Sequence, residues 1–178
     1  MKKLFLILSA AILALTACNS TKTVEFGDVR IPYDSSKYSV LDLEEDNDAL
    51  TFLLLSKKED AYMYVEIVNE AEDQIAEADP NILQAYLVAT VQDFANIWFT
   101  SDEDKQLSSP FDPSDLKFSE DNPLSTVAYL DGTSFGEKFY GAVTSSMLGH
   151  YKVTGTIQAQ SKDQLNAYFS DVLSKITY

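Results

Sequence analysis

Cysteine and histidine are nearly missing from this chain: Cys18 and His150 stand alone among 178 residues. One thiol has no partner, so an internal disulfide is excluded and the fold must stand on its core. One imidazole excludes a zinc centre built from several histidines. Basic residues are scarce as well, 13 against 28 acidic ones, for a formal net charge of −15. A field of that sign repels phosphate backbones and anionic headgroups, which argues against a nucleic-acid partner and against electrostatic adsorption to a membrane. Gly132, Gly136 and Gly141 lack the spacing of a dinucleotide fingerprint, and no Gly-Lys-Ser/Thr run occurs. A serine nucleophile would have to use His150, yet no Gly-x-Ser-x-Gly elbow is present. His150 sits beside Gly149 and reads as a turn or edge residue. In the acidic run Glu44 to Asp48, alternate positions carry carboxylates. Ala49 and Leu55, however, stand where a calcium-binding EF-hand loop needs Gly and Glu, so a solvated turn is expected. Carboxylates are too abundant for any two to single themselves out as acid and base. The chain is thus expected to be non-enzymatic, with no metal, cofactor or catalytic residue.

Long hydrophobic runs are also few. The greasiest, Leu4 to Leu15, is broken only by Ser9 and is followed at once by polar residues. It is roughly a dozen residues long, short of the about 20 needed to cross a bilayer. Lys2 and Lys3 precede it, and Leu15-Thr16-Ala17-Cys18 closes it. This charged, apolar and cleavable layout resembles a bacterial lipoprotein signal peptide. The resemblance implies cleavage between Ala17 and Cys18, a diacylglycerol on the Cys18 sulfur, and acylation of the new amino terminus. It places the protein in the cell envelope, lipid-anchored to a bacterial membrane and periplasm-facing if there are two membranes. Stable anchoring takes more than one acyl chain, which suits a multiply acylated Cys18. Residues 1–17 are then the signal peptide, 18–25 the lipidated cysteine and a short polar tether, and 26–178 one domain of ordinary size.

Within that domain, Val29-Arg30-Ile31 before Pro32, Tyr38 to Leu43, Ala49 to Leu55 and Ala61 to Val68 have the composition and spacing of strands in hairpins or a meander. Asp79-Pro80 opens a helix, Asp79 capping and Pro80 at its first position. Ile82, Leu83, Tyr86, Leu87, Thr90, Val91, Phe94, Ile97 and Trp98 recur on one helical face, for which the preceding sheet is the expected partner. Thr100 to Pro123, with three prolines, many serines and an acidic start, reads as a long excursion pinned back by Phe111, Leu116 and Phe118. Strands return at Ser125 to Leu130, Lys138 to Met147 and His150 to Gln158, with turns at Asp131-Gly132 and Leu148-Gly149. Ser161 with Gln164 is a capping-box pattern opening a last helix, whose apolar residues run from Leu165 to Ile176.

The order strands, helix, long loop, strands, helix predicts a single-domain α+β fold, a central antiparallel sheet flanked by two main helices. The opening strand through Ile31-Pro32-Tyr33, the long mid-chain helix, and the closing Gly149-His150-Tyr151-Lys152-Val153-Thr154-Gly155-Thr156 strand running into Leu165 to Ile176 resemble the PsbP-like and DcrB-like superfamily. That resemblance implies an antiparallel sheet flanked by helices and a role in binding or assembling other proteins. Two functions follow as expectations. One is a membrane-anchored module that presents a sheet face or the Thr100 to Pro123 excursion to an envelope protein. The other is a carrier or sensor of an apolar small molecule held between the sheet and the long helix, lined by residues such as Tyr86, Phe94, Trp98, Tyr129 and Phe139. A sizeable, mostly apolar cavity would favour the second.

Overall fold

The structure, a computed structural model, describes residues 20–70, 75, 77–100 and 104–178. Cys18, the segment before it and residues 101–103 at the acidic start of the excursion lie outside the described residues. Among the described residues the fold is α+β, a single domain with one large antiparallel sheet and two main helices.

Two strands stand apart from that sheet. β1 (Thr21–Phe26) and β2 (Val29–Asp34) form a hairpin turned at Gly27, whose φ of 56° suits a residue without a Cβ. β1 begins at Thr21, inside the stretch read above as a tether. Val24 and Phe26 alternate inward and pair with Ile31 and Val29, so the domain takes in residues before 26.

β3 (Tyr38–Glu45), β4 (Ala49–Ser56) and β5 (Ala61–Asn69) form the predicted meander. Leu50, Phe52 and Leu54 alternate with Ala61, Met63, Val65 and Ile67 on one buried face, as a period of two requires. The outer strand β3 is irregular: its register shifts between Leu41 and Glu44, around Asp42 at a φ of 49°. The acidic turn closes as expected, the Asp46 carboxylate accepting from the Asp48 and Ala49 amides at 2.9 and 2.7 Å.

α1 (Pro80–Phe99) is capped by Asp79, which accepts from the Asn81 amide at 2.8 Å. Its buried residues Leu83, Leu87, Val91, Ala95 and Phe99 follow the helical period. They rest chiefly on the later strands β8 (Ser125–Ser134), β9 (Glu137–Leu148) and β10 (Tyr151–Ala159), rather than on the preceding ones. The reason is topological. β10 pairs with β5, so the C-terminal strands complete the sheet and its order is β3-β4-β5-β10-β9-β8, closed at the far edge by a short strand from the excursion.

The excursion after α1 returns to the sheet edge. β6 (Lys105–Leu107) and β7 (Lys117–Phe118) both pair with β8, and Leu107, Phe111 and Leu116 pack beside α1.

The expected turn at Asp131-Gly132 is instead mid-strand. Gly132 is needed there because β6 runs so close that a Cβ would meet the Gln106 backbone. The chain reverses at Phe135-Gly136, both with positive φ (52° and 83°). The other turn falls one residue later than predicted, at Gly149, with a φ of 61°, and His150.

α2 (Lys162–Asp171) starts with the predicted capping box, Ser161 and Gln164 bonding each other's backbone amides. It stops at Asp171, short of Ile176, and a 3₁₀ turn at Leu173–Lys175 carries Leu173 and Ile176 onto the sheet. Tyr168 fixes α2 in place, its hydroxyl lying 3.0 and 2.9 Å from the Leu54 and Ala61 carbonyls that accept from it.

Candidate functional site

The sheet has two differently furnished faces. On the α1 side, Phe99 stacks on Phe139 with ring centroids 5.4 Å apart, while Trp98 leans on Tyr64 at 4.9 Å and on Tyr62 at 6.1 Å. Phe94 sits 6.3 Å from the Tyr64 ring. A polar stripe runs beneath them: Ser145, Lys152, Thr154 and Thr156 are buried. Lys152 Nζ donates to the Tyr86 hydroxyl at 2.7 Å, and that hydroxyl donates to Glu70 at 2.6 Å. Burial raises the Glu66 carboxyl above its ordinary value, with Lys152 opposing the rise and Glu70 adding to it. Ser145 and Thr154 bond each other at 3.1 Å, but the Thr156 hydroxyl has no partner among the described residues.

The other face carries the larger apolar core, covered by the β1–β2 hairpin and α2. There the cover is incomplete. A cleft of about 620 Å³ lies over β8, β9 and β10, between the α2 and 3₁₀ segment on one side and the Lys117 to Asn122 stretch on the other. This volume falls in the range of ligand sites, about 300–1,000 Å³. Its apolar surface comes mainly from aliphatic residues, among them Val65, Val127, Leu148, Val153 and Leu173, with Phe118 and Phe169 at the sides.

The hydroxyls that line the cleft are already engaged. Ser125 and Ser146 bond each other at 2.6 Å, and Thr144, Ser170 and Ser174 donate to backbone carbonyls at 3.1, 3.2 and 2.9 Å. Among the described residues no acidic side chain lines it, and Lys117 is the one charged residue that does. A wall whose hydroxyls are satisfied internally accepts apolar surface without leaving those groups unpaired.

The five aromatic residues singled out in the sequence are divided between the two faces. Phe94, Trp98 and Phe139 belong to the packing under α1, and Tyr86 to the Lys152 network. Tyr129 lies on the opposite face, 55 % exposed, its ring 5.8 Å from that of Phe169 at the wall of the cleft. The residues that floor the cleft escaped sequence reasoning. They are single Val, Ser and Thr positions on separate strands, and no local pattern marks them.

Among the described residues no cluster of three or more His, Cys, Asp or Glu side chains could hold a metal ion, and no helix is long and apolar enough to cross a membrane. His150 occupies the β9–β10 turn, its ring 4.1 Å from that of Tyr151. The raised carboxyl, Glu66, faces α1 and not the cleft. Comparison with protein-family models and with curated proteins finds no match for the chain.

Proposed function

We propose that this chain is a non-enzymatic, lipid-anchored envelope protein that binds an apolar small molecule in the cleft beside α2. The cleft carries the reading: about 620 Å³, aliphatic walls, hydroxyls bonded within the protein, and no carboxylate among its described lining residues. Its place differs from the one expected, since it lies under the short helix rather than the long one. The anchor at Cys18 supplies a membrane affinity that an acidic domain lacks, and it brings the cleft near a source of apolar molecules.

Native mass spectrometry of the chain extracted from its own membranes tests this. A bound organic mass is expected at a stoichiometry near one. Ser146→Phe, which fills the cleft floor, is expected to abolish it while leaving the melting temperature within a few degrees. No bound mass, together with no binding of straight-chain alcohols by calorimetry, overturns the reading. Cys18→Ser tests the anchor separately: fatty-acid labelling should vanish, and its retention refutes acylation at that sulfur.

A second reading, an assembly module, is favoured by the outer face of α1. Ile82 and Ile97 are 64 % and 61 % exposed there, on a helix whose one charged residue is Asp93. Under this reading Ile82→Glu with Ile97→Glu removes a cross-linked envelope partner that the Ser146→Phe variant keeps.

A further inference from the structure

Next to the cleft is a smaller recess of about 320 Å³, lined by Tyr129, Asp131, Lys138, Tyr140, Lys162 and Asn166 among others. Both lysines are drawn over the Tyr140 ring, with Nζ 4.9 Å from its centroid for Lys138 and 5.7 Å for Lys162. Neither makes an ion pair among the described residues, although the chain has more than two acidic residues for each basic one. Among the described residues the recess has one carboxylate, Asp131, which already accepts from the Ser108 hydroxyl at 2.9 Å. In this strongly acidic protein it is a place of local positive charge, with room beside it.

The recess and the cleft adjoin each other along α2. Lys162 and Asn166 are one turn apart on the same side of the helix, and Asn166 lines both spaces. The Tyr129–Phe169 pair marks the boundary between them. From Lys162 to Phe169 the helix rises about 11 Å, which suits an extended chain rather than a single ring. Asn166 makes no side-chain hydrogen bond among the described residues, which leaves its amide free at the junction.

We infer that the ligand is an anionic amphiphile, with its aliphatic chain in the cleft and its acidic head between Lys138 and Lys162. This rests on the reading of the cleft as a binding site. Charge at one end and aliphatic walls at the other select against neutral hydrocarbons and against cationic amphiphiles. Carboxylate and phosphate heads share the needed chemistry. A free acid and a membrane lipid are both sources of it.

Isothermal titration of the full chain carrying Cys18→Ser, so that no acyl group travels with the protein, tests the inference below the micellar range of each probe. Dodecanoate is expected to bind at least about tenfold more tightly than dodecanol, the equivalent of about 1.4 kcal/mol. Affinity for shorter carboxylates should fall about fourfold per methylene, given about 0.8 kcal/mol for each buried CH₂. Lys138→Gln with Lys162→Gln should erase the preference for dodecanoate and leave dodecanol binding unchanged, while Lys117→Gln alters neither.

Equal binding of dodecanoate and dodecanol, or a preference that follows Lys117 instead, overturns the head-group assignment while the cleft reading stands. Failure of every chain to bind overturns the cleft reading itself. Dodecanoate bound more tightly than lysophosphatidylglycerol supports a free acid, and the reverse order supports a membrane lipid, each with an anionic head in the recess.

Discussion

The two faces of the sheet are closed by helices of unequal length, and the difference explains where space remains. α1 has 20 residues and α2 has 10; at about 1.5 Å per residue they span roughly 30 and 15 Å. The longer helix reaches along its whole face and brings Phe94, Trp98 and Phe99 down onto the strands. The shorter one, aided by the β1–β2 hairpin, covers only part of the core, and β8, β9 and part of β10 are left as the floor of a cleft. Polarity is distributed the other way. The well-covered face buries Lys152, Ser145 and, from its strands, Thr126, Thr154 and Thr156, whereas the open face is the more apolar of the two. A face that buries polar groups must close over them and pair them, while an apolar face can stay partly open for an apolar occupant.

The sharpest way to break this comparison is to weaken the closed side. Phe99 is fully buried and stacked on Phe139, so Phe99→Ala should cost about 3–5 kcal/mol in urea unfolding. A loss below 1 kcal/mol would mean that α1 is not the tighter cover. On the other face, Tyr168→Phe removes the hydroxyl that ties α2 to the β4 and β5 carbonyls. It should cost about 1–3 kcal/mol and loosen the cleft wall, read as faster hydrogen exchange in α2 than in α1. Thr156→Val should act in the opposite direction. It replaces a buried hydroxyl that has no partner by a methyl group, and a gain of about 1 kcal/mol in unfolding free energy is expected.

The smallest effect concerns pH. Because burial raises the Glu66 carboxyl in the folded state, the native protein holds that proton to higher pH than the unfolded chain does. Stability contributed by the protonated group is therefore lost as pH climbs from the ordinary value of 4.5 through the raised one. Glu66→Gln should melt higher than the parent near neutral pH and at the same temperature well below 4.5. A difference that persists in acid would show that the side chain acts through packing rather than charge.

Much of the fold could be read in advance because its signals are local. Asp79-Pro80 and the Ser161/Gln164 pair announce both helix starts, and alternation in Ala49 to Leu55 and Ala61 to Val68 announces their strands. What stayed hidden is long-range. Nothing near Tyr151 indicates that β10 enters the sheet beside β5, and this pairing decides which strands α1 covers. Gly132 looks like a turn residue until β6 is seen lying against it. The cleft was illegible for the same reason, since its floor takes alternate residues from separate strands and its wall comes from Phe169 to Ile176, a stretch that reads as one more apolar helix face. The conspicuous aromatic stripe of α1 goes largely into packing.

The kinked outer strand β3 has a bearing on self-association. Leu41 and Leu43 are 45 % and 50 % exposed on an edge where unpaired amides could recruit another chain. The register break at Asp42 interrupts that ladder midway, and Asp42, Glu44 and Glu45 set negative charge around it. Copies held at high density would meet along a crooked, mutually repelling margin. A straight β3 without Asp42 would instead offer a seed for sheet-to-sheet growth.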